Sequence, residues 1–168
     1  MLMDEGLDTG DILEMVEFVI PKEMCLHALM QQLTMDACNL TLSTIRNFKH
    51  ITPHAQDNSK ATLCKKIKKH DGEIDFSDAQ VIYNKYRAYE GWPGIFASNG
   101  IKFDDIELME LEKSYTALEI LAFKGESVVI GCVRGSLKIG SIQPPSKKAM
   151  RAKAYCVGRG LKVGYTLF

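Results

Sequence analysis

Acidic residues and glycines crowd the start of the chain, in the run Met3-Asp4-Glu5-Gly6-Leu7-Asp8-Thr9-Gly10-Asp11-Ile12-Leu13. Turn residues and acids this dense beside an apolar segment mark a loop shaped for something other than packing. Asp8 is the member with the most chemistry to offer. It lies between Leu7 and Thr9-Gly10, where the amides of a turn are expected to hold its carboxylate. A carboxylate fixed in that way orients a histidine and stabilises its charged form. Asp4 and Asp11 read as surface or turn-forming acids. No Ser/His/Asp or Cys/His set is assignable, and no GxxxxGK[ST] or GxGxxG phosphate loop occurs. Cys25, Cys38, Cys64, Cys132 and Cys156 are scattered, without a CxxC pair or histidines at zinc spacing. They read as reduced thiols, and no metal site is expected.

Charge supplies the second signal. The formal net charge is zero, but residues 1–60 carry a net of −5 and residues 61–168 a net of +5. No acid follows Glu126, whereas Arg134, Lys138, Lys147, Lys148, Arg151, Lys153, Arg159 and Lys162 do. An acid-free basic tail suggests a polyanionic partner. The phosphate-contact candidates are Lys147, Lys148, Arg151 and Lys153, with a second group at Lys65, Lys66, Lys68 and Lys69. No apolar run approaches the ~20 residues a membrane-spanning helix needs. The N-terminus is acidic and has no signal-peptide pattern, so a reducing cytoplasm is the expected location.

These residues need elements to position them. Residues 12–20 alternate well enough for a strand with one buried face. Residues 22–46 carry Leu26, Leu29, Met30, Leu33, Ala37, Leu40 and Ile45 at helical spacing. A loop, a strand and a helix cannot make a core alone, so residues 1–48 read as the edge of a larger α/β domain. Residues 49–64 read as a linker, and residues 65–168 as a separate small domain. There, Ser77 is placed to cap a helix bearing Ala79, Ile82, Tyr83 and Tyr86. The run Glu90-Gly91-Trp92-Pro93-Gly94 must be a sharp loop. Its tryptophan is read as a hydrophobic plug, with a binding platform as the alternative. Short strands are expected over residues 95–97, 102–111, 117–123, 127–132 and 136–143, which indicates a small β-barrel or sandwich. After Pro144-Pro145, Ser146 is expected to cap a short basic helix over residues 147–155.

The opening run resembles the closing catalytic loop of the 10-formyltetrahydrofolate-dependent formyltransferases. Further pieces resemble that family's tRNA-acting branch in the expected order. They are Pro53 and Gln56, Lys66-Ile67, Glu73-Ile74-Asp75-Phe76, Arg87-Ala88, Trp92-Pro93-Gly94, Gln143-Pro144 and Lys147-Lys148-Ala149-Met150. The match covers the back half of the family's usual chain. The resemblance implies an α/β remnant, the edge of a doubly wound formyltransferase domain, followed by a small mainly-β OB-like barrel with one helix. It implies 10-formyltetrahydrofolate as formyl donor, with Gly6, Leu7 and Asp8 in the cofactor loop, and initiator methionyl-tRNA as partner. Asp8 falls at the aspartate of the family's Asn-x-His-Asp catalytic set. The asparagine and histidine have no counterpart, so the chain is expected to be inactive alone, with a missing N-terminal half as a partner in trans. Sugar-nucleotide formyltransferases and formyltetrahydrofolate dehydrogenases share the loop and the barrel and remain alternatives. A non-catalytic RNA-binding module is another.

Overall fold

The apolar residues of Ser-Leu-Lys-Ile-Gly-Ser-Ile-Gln build the centre of a sheet. A computed structural model describes all 168 residues, in two units, Met1–Lys66 and Ile67–Phe168. In the second unit, strand β6 (Ser136–Gln143) buries Leu137, Ile139 and Ile142 completely. One edge of β6 pairs antiparallel with β3 (Lys102–Glu110). The other edge pairs with β5 (Ser127–Gly131) along residues 136–139, then with β7 (Met150–Arg151) at residues 141–142. The sheet runs β1-β2-β3-β6-β5-β4, with β1 (Glu73–Ile74), β2 (Ile95–Ala97) and β4 (Ile120–Lys124) completing it. Only the β1–β2 pair is parallel. Gly140 is required where it stands, because a Cβ there would collide with the Asp105 carboxylate.

Helix α2 (Ala79–Ala88) lays Ala79 and Ile82 onto the core. Beside them, Phe76 and Phe103 meet edge to face at 5.3 Å. The cap of α2 is Asp78 rather than Ser77. Ser77 donates its amide and hydroxyl to Asp75 Oδ1 at 3.0 and 2.7 Å, so the next residue takes the helix end. Asp78 Oδ1 accepts from the Gln80 and Val81 amides at 2.8 and 3.2 Å, and Oδ2 pairs with Arg134.

The basic segment also departs from expectation. Met150 and Arg151 pair with Ile142 and Ser141, so helix α3 begins only at Ala152 and runs to Val157. Ser146 lies in a left-handed turn (φ 59°) and caps nothing. The second unit thus holds both helices expected from the residue pattern, one more than the resemblance implied, with α3 shorter than expected.

In the first unit, α1 (Leu26–Asn47) has 22 residues and none of them is buried. The apolar stripe read from its spacing is open to solvent at Met30, Leu33 and Ile45. The strand expected over residues 12–20 does not form. Only Ile12 pairs, in an isolated bridge to His54, because the other residues have no neighbouring strand to complete a ladder. Glu14 is tied to α1 instead, accepting from Ser43 and Thr44 hydroxyls at 3.4 and 3.0 Å. No helix is long and apolar enough to cross a membrane.

Two stability predictions follow from this packing. Ile139→Ala empties a fully buried site in the central strand and should cost about 2–5 kcal/mol in urea unfolding. The Asp78 cap should show in the pH dependence. Burial pushes its carboxyl up, but the Val81 and Gln80 amides and the Arg134 guanidinium outweigh that and hold it below its ordinary 3.8. A carboxyl depressed in the folded state contributes stability above its unfolded pKa, and that stability is lost as pH falls through the folded value. Asp78→Ala should therefore cost about 1 kcal/mol near neutrality, with the gap to the parent closing as pH falls through the depressed folded value. Asp78→Asn, which keeps an acceptor, should cost less.

Candidate functional site

The loop around Asp8 is held by its backbone. The Leu2 amide donates to the Asp11 carbonyl at 2.8 Å, and Ile12 and His54 exchange amide–carbonyl bonds at 2.8 and 2.9 Å. Gln56 completes the frame, its Nε2 donating to the Asp8 carbonyl at 2.9 Å and to the Gly10 carbonyl at 2.7 Å. Gly10 has to be glycine, since the Leu2 carbonyl fills the space a Cβ would need. Asp8 sits in the left-handed region (φ 57°), a conformation Asp tolerates better than most side chains.

The expectation for the Asp8 carboxylate is corrected. The turn amides do not hold it; the carbonyl is the anchored group, and the carboxylate makes no hydrogen bond. Asp4 is the acid that shapes the turn, accepting from the Glu5 amide at 2.6 Å and the Thr9 hydroxyl at 3.4 Å. Gly6, Leu7 and Asp8 are all exposed, Leu7 at 90%. An open loop with one unanchored carboxylate does not enclose a folate, so these residues alone do not fit that cofactor.

Among the basic candidates, Lys147, Lys148 and Arg151 are exposed and make no ion pair. They are positioned by sheet geometry. Arg151 is opposite Ser141 in the ladder, and Gln143 Nε2 donates to the Lys147 carbonyl at 2.9 Å. Lys153 differs, because its ammonium stands 3.7 Å from Glu126 and its amide bonds the Glu126 carbonyl. Lys65 and Lys66 end the first unit, while Lys68 and Lys69 open the second, and all four are exposed. Asp71 directly follows that basic run, accepting from the Lys68 amide at 2.6 Å and facing His70 at 3.4 Å. Arg159 is committed elsewhere, stacked 3.8 Å over the Tyr155 ring.

Trp92 is not a plug. Its side chain is 60% exposed, and the neighbouring Pro93 and Ile95 are buried in its place. Gly91 and Gly94, at φ 80° and 69°, turn the loop so that the indole faces out. Those glycines were the available signal, and the Trp92-Pro93 bond is cis. Beside the loop is a cavity of about 270 Å³, whose wall includes Tyr86, Tyr89, Pro93 and Lys102. Sequence spacing alone did not bring these residues together.

Comparison with known proteins bears on the same residues. The profile of "Formyl transferase, C-terminal domain" matches residues 66–160. The chain belongs to this family. It is 70% identical over 164 residues to the methionyl-tRNA formyltransferase of a Sulfurovum species, covering 98% of this chain and 54% of the relative. It is 50% identical over 168 residues to that of a Nitratiruptor species, covering 100% and 56%. The chain thus spans about half the length of the curated relatives it matches, corresponding to the C-terminal part of methionyl-tRNA formyltransferase. Two solved structures share the fold. HypX from Aquifex aeolicus in complex with tetrahydrofolic acid is 19% identical, with a TM-score of 0.67 over 95% of this chain and 29% of that one. The N-formyltransferase from Helicobacter canadensis is also 19% identical, with a TM-score of 0.61 over 82% and 52%.

The Gln56 contacts make a prediction about the loop. Gln56→Ala removes two hydrogen bonds worth about 1 kcal/mol each. Amide exchange over residues 8–12 should accelerate at least about tenfold in the full chain, while exchange in the β6 ladder stays unchanged.

Proposed function

We propose that this chain serves as the C-terminal part of an enzyme that moves a formyl group from 10-formyltetrahydrofolate to the amine of initiator methionyl-tRNA. Its own share of the task is to hold the tRNA. The supporting observation is the exposure of Lys147, Lys148 and Arg151, none of them held in an ion pair, within residues matched to the formyltransferase C-terminal family. Phosphate contacts of this kind fix position and orientation without reading sequence. We read residues 1–48 as the end of a doubly wound catalytic domain, 49–64 as the linker, and 65–168 as an OB-like tRNA-binding domain. Lys65, Lys66, Lys68 and Lys69 extend the phosphate-contacting set. Lys153 is its weakest member, because Glu126 competes for its charge.

In this reading Asp8 is the aspartate of the family's Asn-x-His-Asp set, and its role is to orient the histidine and support proton transfer from the attacking amine. The chain has no counterpart of the asparagine or the histidine, and its Asp8 loop is open. Without those groups nothing here positions a formyl donor against an amine, and positioning supplies much of the rate in such a reaction.

Two measurements test the proposal. The purified chain should bind initiator tRNA with an affinity that falls steeply with salt. Lys147→Gln/Lys148→Gln should lower the log–log salt slope by roughly 2, to a similar extent for every tRNA. A salt-independent affinity would overturn the phosphate reading. In a formylation assay the chain should show no turnover alone. Any activity should require the remaining portion of the Sulfurovum relative, supplied as a separate polypeptide. Turnover by the chain alone would refute the role given to Asp8.

A further inference from the structure

We propose that the cavity beside Trp92 is a nucleobase pocket, which receives one unpaired base of the RNA whose backbone the basic segment holds. The inference rests on the tRNA-binding reading above and adds a subsite to it. Three observations converge. First, the cavity and the basic segment are one structure. Ser141, Gln143 and Ala149 form part of the wall; Ser141 is the ladder partner of Arg151, Gln143 holds the Lys147 carbonyl, and Ala149 directly follows Lys148. A backbone lying on Lys147, Lys148 and Arg151 therefore passes beside the cavity, whose wall also carries Lys102.

Second, the lining suits a flat ring. Tyr86 and Tyr89 contribute aromatic surface, and Trp92 lies between Gly91 and Pro93, both wall residues. Its indole stays outside the wall, 60% exposed, as a platform on which a base or its neighbour can stack. Stacking on exposed aromatic faces is how single-stranded nucleic acid is held without sequence reading. The volume, about 270 Å³, lies just under the ~300–1,000 Å³ of sites for drug-sized ligands and matches a single base better than a larger ligand.

Third, the wall is more acidic than basic, with two carboxylates to the one ammonium of Lys102. Glu90 and Asp104 stand in the wall, and Asp104 Oδ1 already accepts the Asp105 amide at 2.8 Å. Carboxylates in the wall disfavour a phosphate inside, while they accept the amino hydrogens of a base edge, as Asp and Glu do with cytosine N4. The phosphates belong on the neighbouring Lys147, Lys148 and Arg151, and the base belongs in the cavity. Amino-bearing bases should be preferred to uracil.

Trp92 is the only tryptophan, so its emission reports on the site directly. Short oligocytidylate should quench it, and oligouridylate should bind more weakly. Trp92→Ala should weaken oligocytidylate binding by about 5- to 150-fold yet leave a fully paired RNA duplex unaffected. Trp92→Phe should retain most of the affinity, and circular dichroism of each variant should match the parent. Lys147→Gln/Lys148→Gln should weaken single strand and duplex alike. If both RNAs bind with salt dependence but Trp92→Ala changes neither, or changes both equally, the pocket is refuted and the tRNA reading stands. If no RNA binds, both readings fall. Quenching by a proline-rich peptide without any response to RNA would assign the aromatic site to a protein partner and overturn the inference.

Discussion

Strand β6 is the constraint on which the second unit depends. It gives one edge to β3 and divides the other between β5 and β7. Side chains alternate across a strand, so a slip of one residue would exchange its faces and carry Lys138 toward the core. The register that prevents this also puts Lys138 opposite Glu107, where the two form an ion pair at 2.7 Å. Because β7 continues the edge that β5 leaves, the same backbone pairing sets where Arg151 points and where the preceding lysines lie. The basic surface is therefore a by-product of the core's register and does not depend on flexible lysine side chains finding one another.

Much of the second unit was legible in the sequence, because its strands and turns are local. The short strands expected over residues 95–97, 102–111, 117–123, 127–132 and 136–143 lie within a few residues of those in the structure. Failures occurred where one local signal competed with another. Ser77 and Asp78 are both good caps, and only the hydrogen bond from Ser77 to Asp75 decides between them. The basic segment has helical composition, yet its first residues are drawn into the ladder by the free edge of β6. Spacing could not reveal that long-range pairing.

The first unit shows the opposite limit. Residues 12–20 have a strand's alternation, but alternation supplies no partner strand, and the segment stays unpaired beyond Ile12. The helical signal of residues 22–46 was sufficient because a helix satisfies its own backbone. What it could not supply was burial, and α1 buries none of its residues and carries Met30, Leu33 and Ile45 into solvent. At the candidate sites, residue types indicated Asp8 and the lysines. The exposure of Trp92 follows from the angles at Gly91 and Gly94, and the glycines flanking Trp92-Pro93 were its one trace in the sequence.

Gln56 has a consequence for how such a chain can be divided. By composition it belongs to the connecting stretch, well after α1 has ended. Through its amide it nonetheless fixes the carbonyls of Asp8 and Gly10, 48 and 46 residues earlier. A gene fusion or protease cut placed directly after α1 would leave the acidic loop without its clasp, whereas a cut beyond Lys60 would keep it. The working boundary of the loop is therefore set by a side chain in the tether, and any rearrangement of this architecture has to carry that residue along with the loop it closes.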